Sequence, residues 1–99
     1  MRDVNQKEID AYVEKALAKL DEWKAEIDKI EAKAKQTSAD TKIKYQEQIK
    51  SLREKRANMK HKLDVIKEVG EEEWEELKKD ADEIAGYLKK ELKDLRTRM

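Results

Sequence analysis

The sequence predicts an all-α protein, an antiparallel bundle or coiled coil of three helical segments. Charged residues supply 48 % of the chain, Pro is absent and Gly occurs twice, so strands and turn-rich loops have almost no material. Ala, Glu, Lys, Leu and Arg dominate, the composition of long helices. Apolar residues then recur at alternating steps of four and three, the rhythm of helices that pair along a seam. A glycine, Gly70, finally separates a segment with a basic end from one with an acidic start. A glycine can close a helix in the left-handed conformation, and acids in the next first turn complement the partial positive charge there. The reading is a hairpin with its hinge at Gly70. Ninety-nine residues make one helical domain, 1–99, with a modest core.

The first segment, expected over 6–36, places Ile9, Val13, Ala16, Leu20, Trp23, Ile27, Ile30 and Ala34 on one side, with Tyr12 and Leu17 widening the stripe. The second, expected over 38–69, repeats the rhythm at Tyr45, Ile49, Leu52, Arg56, Met59, Leu63 and Ile66 in a shifted phase. The third, expected over 72–97, runs through Trp74, Leu77, Ala81, Ile84, Leu88, Leu92 (or Glu91) and Leu95. Gly86 interrupts it, and a close helix crossing would explain why.

Between the first two segments lies Lys35-Gln-Thr-Ser-Ala-Asp-Thr-Lys42. Thr, Ser and Asp compete for backbone hydrogen bonds, and Thr37 with Asp40 three residues on approximates a capping box. A turn here yields three helices of matched length. Against a turn, the interval holds neither Gly nor Pro, and Ala34, Ser38, Thr41 and Tyr45 keep the 4, 3, 4 spacing. The alternative fold is therefore one long helix over 5–69 with a helix over 72–97 folded back, completed by dimerisation.

Charge blocks support the hairpin. Residues 50–62 hold Lys50, Arg53, Lys55, Arg56, Lys60 and Lys62 against Glu54, a net of +5. Residues 64–83 hold ten acids against Lys67, Lys78 and Lys79, a net of −7. A chain that folds back at Gly70 sets these blocks side by side.

The run from Tyr12 to Ala34, with Tyr45-x3-Ile49-x2-Leu52-x2-Lys55-Arg56 and Gly70-x3-Trp74-x2-Leu77, resembles a family of small bacterial coiled-coil proteins described as stress-response proteins. The resemblance covers most of the chain. It implies a bacterial cytoplasmic helical protein of unsettled function, and it brings no catalytic or binding residues with it.

Chemical sites find little support in the residues. His61 is the only histidine and lies off the seam among basic neighbours, where a metal would meet no second ligand. The acids from Glu71 to Glu76, with Asp80, Asp82 and Glu83, read as a helix start, because consecutive helical carboxylates splay outward and do not converge on a cation. No Glu-x-x-His pair is present for a di-iron bundle. Neither a nucleophile with its base, nor a phosphate-binding glycine loop, nor metal-ligand spacing occurs. The expectation is a protein that is no enzyme and needs no cofactor or metal.

Lys plus Arg equals Asp plus Glu at 24 each, which argues against non-specific nucleic-acid binding. No transmembrane segment and no signal peptide are expected, and the cytoplasm is the default location. Trp23 and Trp74 read as packing anchors, with a partner interface as the second reading. Arg56 falls where the seam calls for an apolar residue. Either its stem packs while its head reaches water, the preferred reading, or it pairs with a carboxylate across the seam and fixes register.

The function expected is a helical interaction or scaffold protein acting through its seams, related to stress, with protein partners that include a second copy as a homodimer. The alternative from another class is an amphipathic binder of lipid surfaces, disfavoured by the narrow seam and a polar face of mixed charge.

Overall fold

A computed structural model describes residues 6–69 and 71–98. They form α1 (Gln6–Ala34), α2 (Ala39–Val69) and α3 (Trp74–Arg98). Each helix carries charges suited to its ends: Glu8, Asp40 and Glu75–Glu76 in the first turns, Lys33, Lys67 and Arg96 with Arg98 in the last. The whole measures 54 × 20 × 18 Å, the length of one helix and the width of a three-helix cluster.

Side-chain pairs give the orientation. Between α1 and α2 the partner number falls as the chain advances, Leu20 meeting Arg56 and Asp28 meeting Arg53, so these helices are antiparallel. The same holds for α2 and α3, where Lys55 reaches Tyr87 and Lys62 reaches Asp80. Between α1 and α3 the offset is constant at 70 residues, Tyr12 to Asp82 and Glu26 to Arg96, so they run parallel. The topology is up-down-up. Helix α2 packs closely against both neighbours, while α1 and α3 approach each other least.

The chain turns between α1 and α2, so the closed chain does not contain the long helix of the alternative reading. Residues 35–38 supply the break. Gln36 N donates to Lys33 O at 3.1 Å and Thr37 N to Ala34 O at 3.1 Å, tightening the end of α1 into three-residue turns. The expected capping box does not form there. Thr37 Oγ1 donates backwards to Ala34 O at 2.7 Å, and Ser38 occupies the cap of α2, its carbonyl accepting from Lys42 N at 2.8 Å and its hydroxyl bonding Thr41 Oγ1 at 3.0 Å. Helix α1 accordingly ends two residues before the expected Gln36.

At the other reversal, Gly70 lies outside the described residues. Residues 71–73 form a turn, and α3 begins at Trp74 instead of at 72, with Leu77 N donating to Glu73 O at 3.0 Å.

The core is built from all three helices. Ile9, Val13, Ala16, Leu20, Trp23, Ile27, Ile30 and Ala34 of α1 are buried, as are Ile49, Leu52, Met59, Leu63 and Ile66 of α2 and Trp74, Ala81, Leu88, Leu92 and Leu95 of α3. Tyr45, Leu77 and Ile84 are only partly buried and pack on this core from its edge. Among the described residues no polar or charged side chain is fully buried. Gly86 needs a different explanation from the one its sequence position suggests, because a methyl group added to it would meet nothing within 4 Å. No helix crosses closely there.

Candidate interaction surfaces

The polar groups that face other helices cluster at three places. At the first, Arg56 extends from α2 across to α1. Its Nε donates to the backbone carbonyl of Leu20 at 2.8 Å, and its Nη2 lies 3.7 Å from Oδ1 of Asp21. Its side chain retains 22 % exposure, while that of Asp21 retains 84 %. The preferred sequence reading, a head directed to water, is therefore incomplete. The guanidinium bonds a main-chain oxygen of the opposite helix, and the carboxylate contact is longer and solvent-washed. A helical carbonyl has a second lone pair to offer, which no sequence pattern announces.

One turn away on α2, Arg53 Nη2 contacts Asp28 Oδ1 at 2.9 Å and Glu31 Oε1 at 3.5 Å. The hydrogen bond from Arg53 holds the Asp28 carboxyl below the ordinary carboxylate range, and the same bond raises the guanidinium. Both basic residues thus engage α1. Charge matching to the acidic start of α3 is carried by Lys62 and Asp80 at 3.6 Å, the one ion pair between α2 and α3 among the described residues. The basic block serves α1 more than the acidic block beyond Gly70.

The second place joins the first halves of α1 and α3. Tyr12 stands edge-on to Trp74, ring centres 5.1 Å apart and planes at 90°, a favoured aromatic geometry. Its hydroxyl donates to Asp82 Oδ1 at 2.6 Å, Asp82 also faces Lys78 Nζ at 3.5 Å, and Lys78 lies over the Tyr12 ring at 5.7 Å. Partial burial, and then the bond to Asp82, push the Tyr12 phenol well above its ordinary value of 10.0. It is held as a hydrogen-bond donor. Trp74 is buried beside it with its Nε1 lacking a partner, so its indole acts through packing.

The third place is at the far end of the same pair, where Arg96 Nη1 meets Glu26 Oε1 at 3.2 Å beside Lys29, Ile30 and Lys33 in a shallow groove. With Tyr12 and Asp82 this contact pins α1 and α3 at both ends of their parallel run.

On the outer surface, Ile43 is 56 % exposed and Tyr87 43 % exposed, the latter beneath Lys55 Nζ at 4.5 Å. The neighbouring Glu91 carboxylate raises the Tyr87 phenol. His61 is exposed, and Glu71, Glu72, Glu73, Glu75 and Glu76 all face solvent. Among the described residues no three His, Cys, Asp or Glu side chains are placed to hold a metal ion, and no helix is long and apolar enough to cross a membrane.

Several buried residues carry weaker sequence signals than the large seam positions. Ala16, Ala34 and Ala81 are small, and Leu92 and Leu95 follow a segment where the 4, 3 spacing admits either Glu91 or Leu92. Tyr12 and Asp82 lie off the seams, and their pairing across 70 residues depends on the parallel offset of α1 and α3. The chain matches no family model, no curated protein and no solved structure, so its reading rests on the bundle itself.

Proposed function

We propose that this chain is a non-enzymatic helical interaction or scaffold protein, and that it works in the bacterial cytoplasm in a stress-related role. The observation that carries the interaction reading is the mutual closure of three apolar stripes within a bundle 54 Å long, which leaves a densely charged rod with few large apolar side chains exposed among the described residues. Such a rod presents helix faces and ion pairs to its surroundings. The stress-related and bacterial parts rest on the resemblance to small coiled-coil proteins described above.

Contact with a partner takes place through the outer face while the bundle is closed, because the seams are occupied by the chain's own helices. Among the described residues, Ile43 and Tyr87 are the large apolar side chains exposed there. The experiment is a retention assay with the full chain immobilised at physiological salt, repeated with Ile43→Lys and Tyr87→Glu and set beside flotation on anionic vesicles. The expected result is a defined set of proteins retained by the wild type and depleted by one or both substitutions, with no flotation. Flotation without protein retention would replace this reading with lipid-surface binding, in which the bundle opens and lays its stripes on the membrane.

A further inference from the structure

We propose that α1 exchanges between two copies of this chain, with residues 35–38 as the hinge. The turn straightens, α1 runs into α2 as one continuous helix, and it lies in the α2–α3 groove of the second copy. This deepens the interaction reading by naming a partner, a second copy of the chain, and a way in which the seams themselves reach it.

Helix α1 places eight buried side chains in the core, from Ile9 to Ala34. Leaving the groove empty would expose all of them and the faces they cover, so α1 can leave its own groove only by entering an equivalent one. A second copy offers that groove with every contact reproduced. Arg56 meets Leu20 O, Arg53 meets Asp28, Tyr12 meets Asp82 and Arg96 meets Glu26, now between chains. The bundle is unchanged and only its connectivity differs, which is the thermodynamic basis of domain swapping.

The hinge makes exchange accessible. Residues 35–38 are all exposed, and every hydrogen bond that shapes the turn is local: Gln36 N to Lys33 O, Thr37 N and Oγ1 to Ala34 O, and the Ser38 hydroxyl to Thr41. Among the described residues, no hydrogen bond ties residues 35–38 to α3 or to the body of α2. It contains neither Gly nor Pro, so no residue forbids a helix. Straightening replaces the tightened bonds with ordinary helical ones and supplies carbonyl partners to the N–H groups of the first turn of α2, which a helix start leaves open. The 4, 3, 4 spacing of Ala34, Ser38, Thr41 and Tyr45 continues one stripe across the break. An unbroken helix from Gln6 to Val69 is about 95 Å long.

Closure within one chain is favoured in dilute solution, where a short connection gives α1 an effective concentration of about millimolar for its own groove. The test therefore refolds the full chain from denaturant at about 1 mM, near that effective concentration, and then determines molar mass by light scattering and maximum dimension by small-angle X-ray scattering. Three chains are compared. Thr37→Ala with Ser38→Ala puts the strongest helix former at two hinge positions and favours a continuous helix. Ala39→Pro fits the first position of α2 but holds Ser38 out of the helical conformation, which locks the bend. Circular dichroism establishes that each variant retains its helices.

The wild type is expected to yield a fraction of dimer about 100 Å long, two bundles end to end. The double alanine variant is expected to raise the dimer-to-monomer ratio about tenfold or more, from the gain in helix propensity at two altered hinges per dimer, and Ala39→Pro to remain monomeric. Only monomer from the double alanine variant, the same dimer fraction from Ala39→Pro, or a dimer no longer than the monomer would each overturn exchange. None of these outcomes bears on the outer face, whose test uses the closed bundle and is read by retention of other proteins.

Discussion

Arg56 shows how a residue that breaks a pattern can still belong to it. An apolar side chain at its place would complete the seam between Leu52 and Met59, yet the guanidinium stays partly in water and bonds Leu20 O at 2.8 Å. Two opposing effects set its value. A charge-assisted hydrogen bond contributes about 1.5–3 kcal/mol, and removing a charge from a partly desolvated place in favour of an apolar side chain contributes a similar amount in the other direction. Arg56→Leu is therefore expected to fall within about 1 kcal/mol of the wild type, its burial offsetting the lost bond. Arg56→Ala loses the bond and the packing of the stem, and is expected to cost about 2 kcal/mol in urea or guanidinium unfolding. An Arg56→Ala chain as stable as the wild type would show that the contact with Leu20 contributes nothing. The anomaly at Arg56 was legible in the sequence, but its partner was not, because the acceptor is a main-chain oxygen whose position depends on the register of two helices.

Among the elements, the stripes on α1 were the most legible part of the fold. Their steps of four and three carry no interruption from Ile9 to Ala34, and all eight positions are buried. The stripe on α2 is less clean, with Arg56 in its middle and Tyr45 at the edge of the core and not within it. The break at 35–38 was less legible, since a run without Gly or Pro turns only through hydroxyl bonds and three-residue turns that a sequence does not display. In α3, Gly86 has open space where its side chain would be and sits within a helix. Gly86→Ala is thus expected to stabilise the protein by about 0.5–1 kcal/mol through the backbone entropy of the unfolded chain, read as a raised midpoint with an unchanged slope in denaturant. A lowered midpoint would indicate a contact requirement at that position.

At the scale of the whole molecule, three amphipathic helices that could each be covered by a partner are covered by one another. Inter-helix ion pairs select the arrangement more than they stabilise it. Arg53 with Asp28, Lys62 with Asp80 and Arg96 with Glu26 are all open to solvent in part, and such pairs are each worth little. The parallel approach of α1 to α3, secured by Tyr12 with Asp82 and by Glu26 with Arg96, distinguishes this closed bundle from an open arrangement in which α1 and α3 each pack on α2 alone. Closure of all three seams within one chain is open to a direct measurement, small-angle X-ray scattering of the dilute full chain with its molar mass. A monomer with a maximum dimension near the 54 Å length of the bundle is the result expected if the three seams close on one another. A dilute particle extending to about 95 Å, the span of an unbroken helix from α1 through α2, would contradict it.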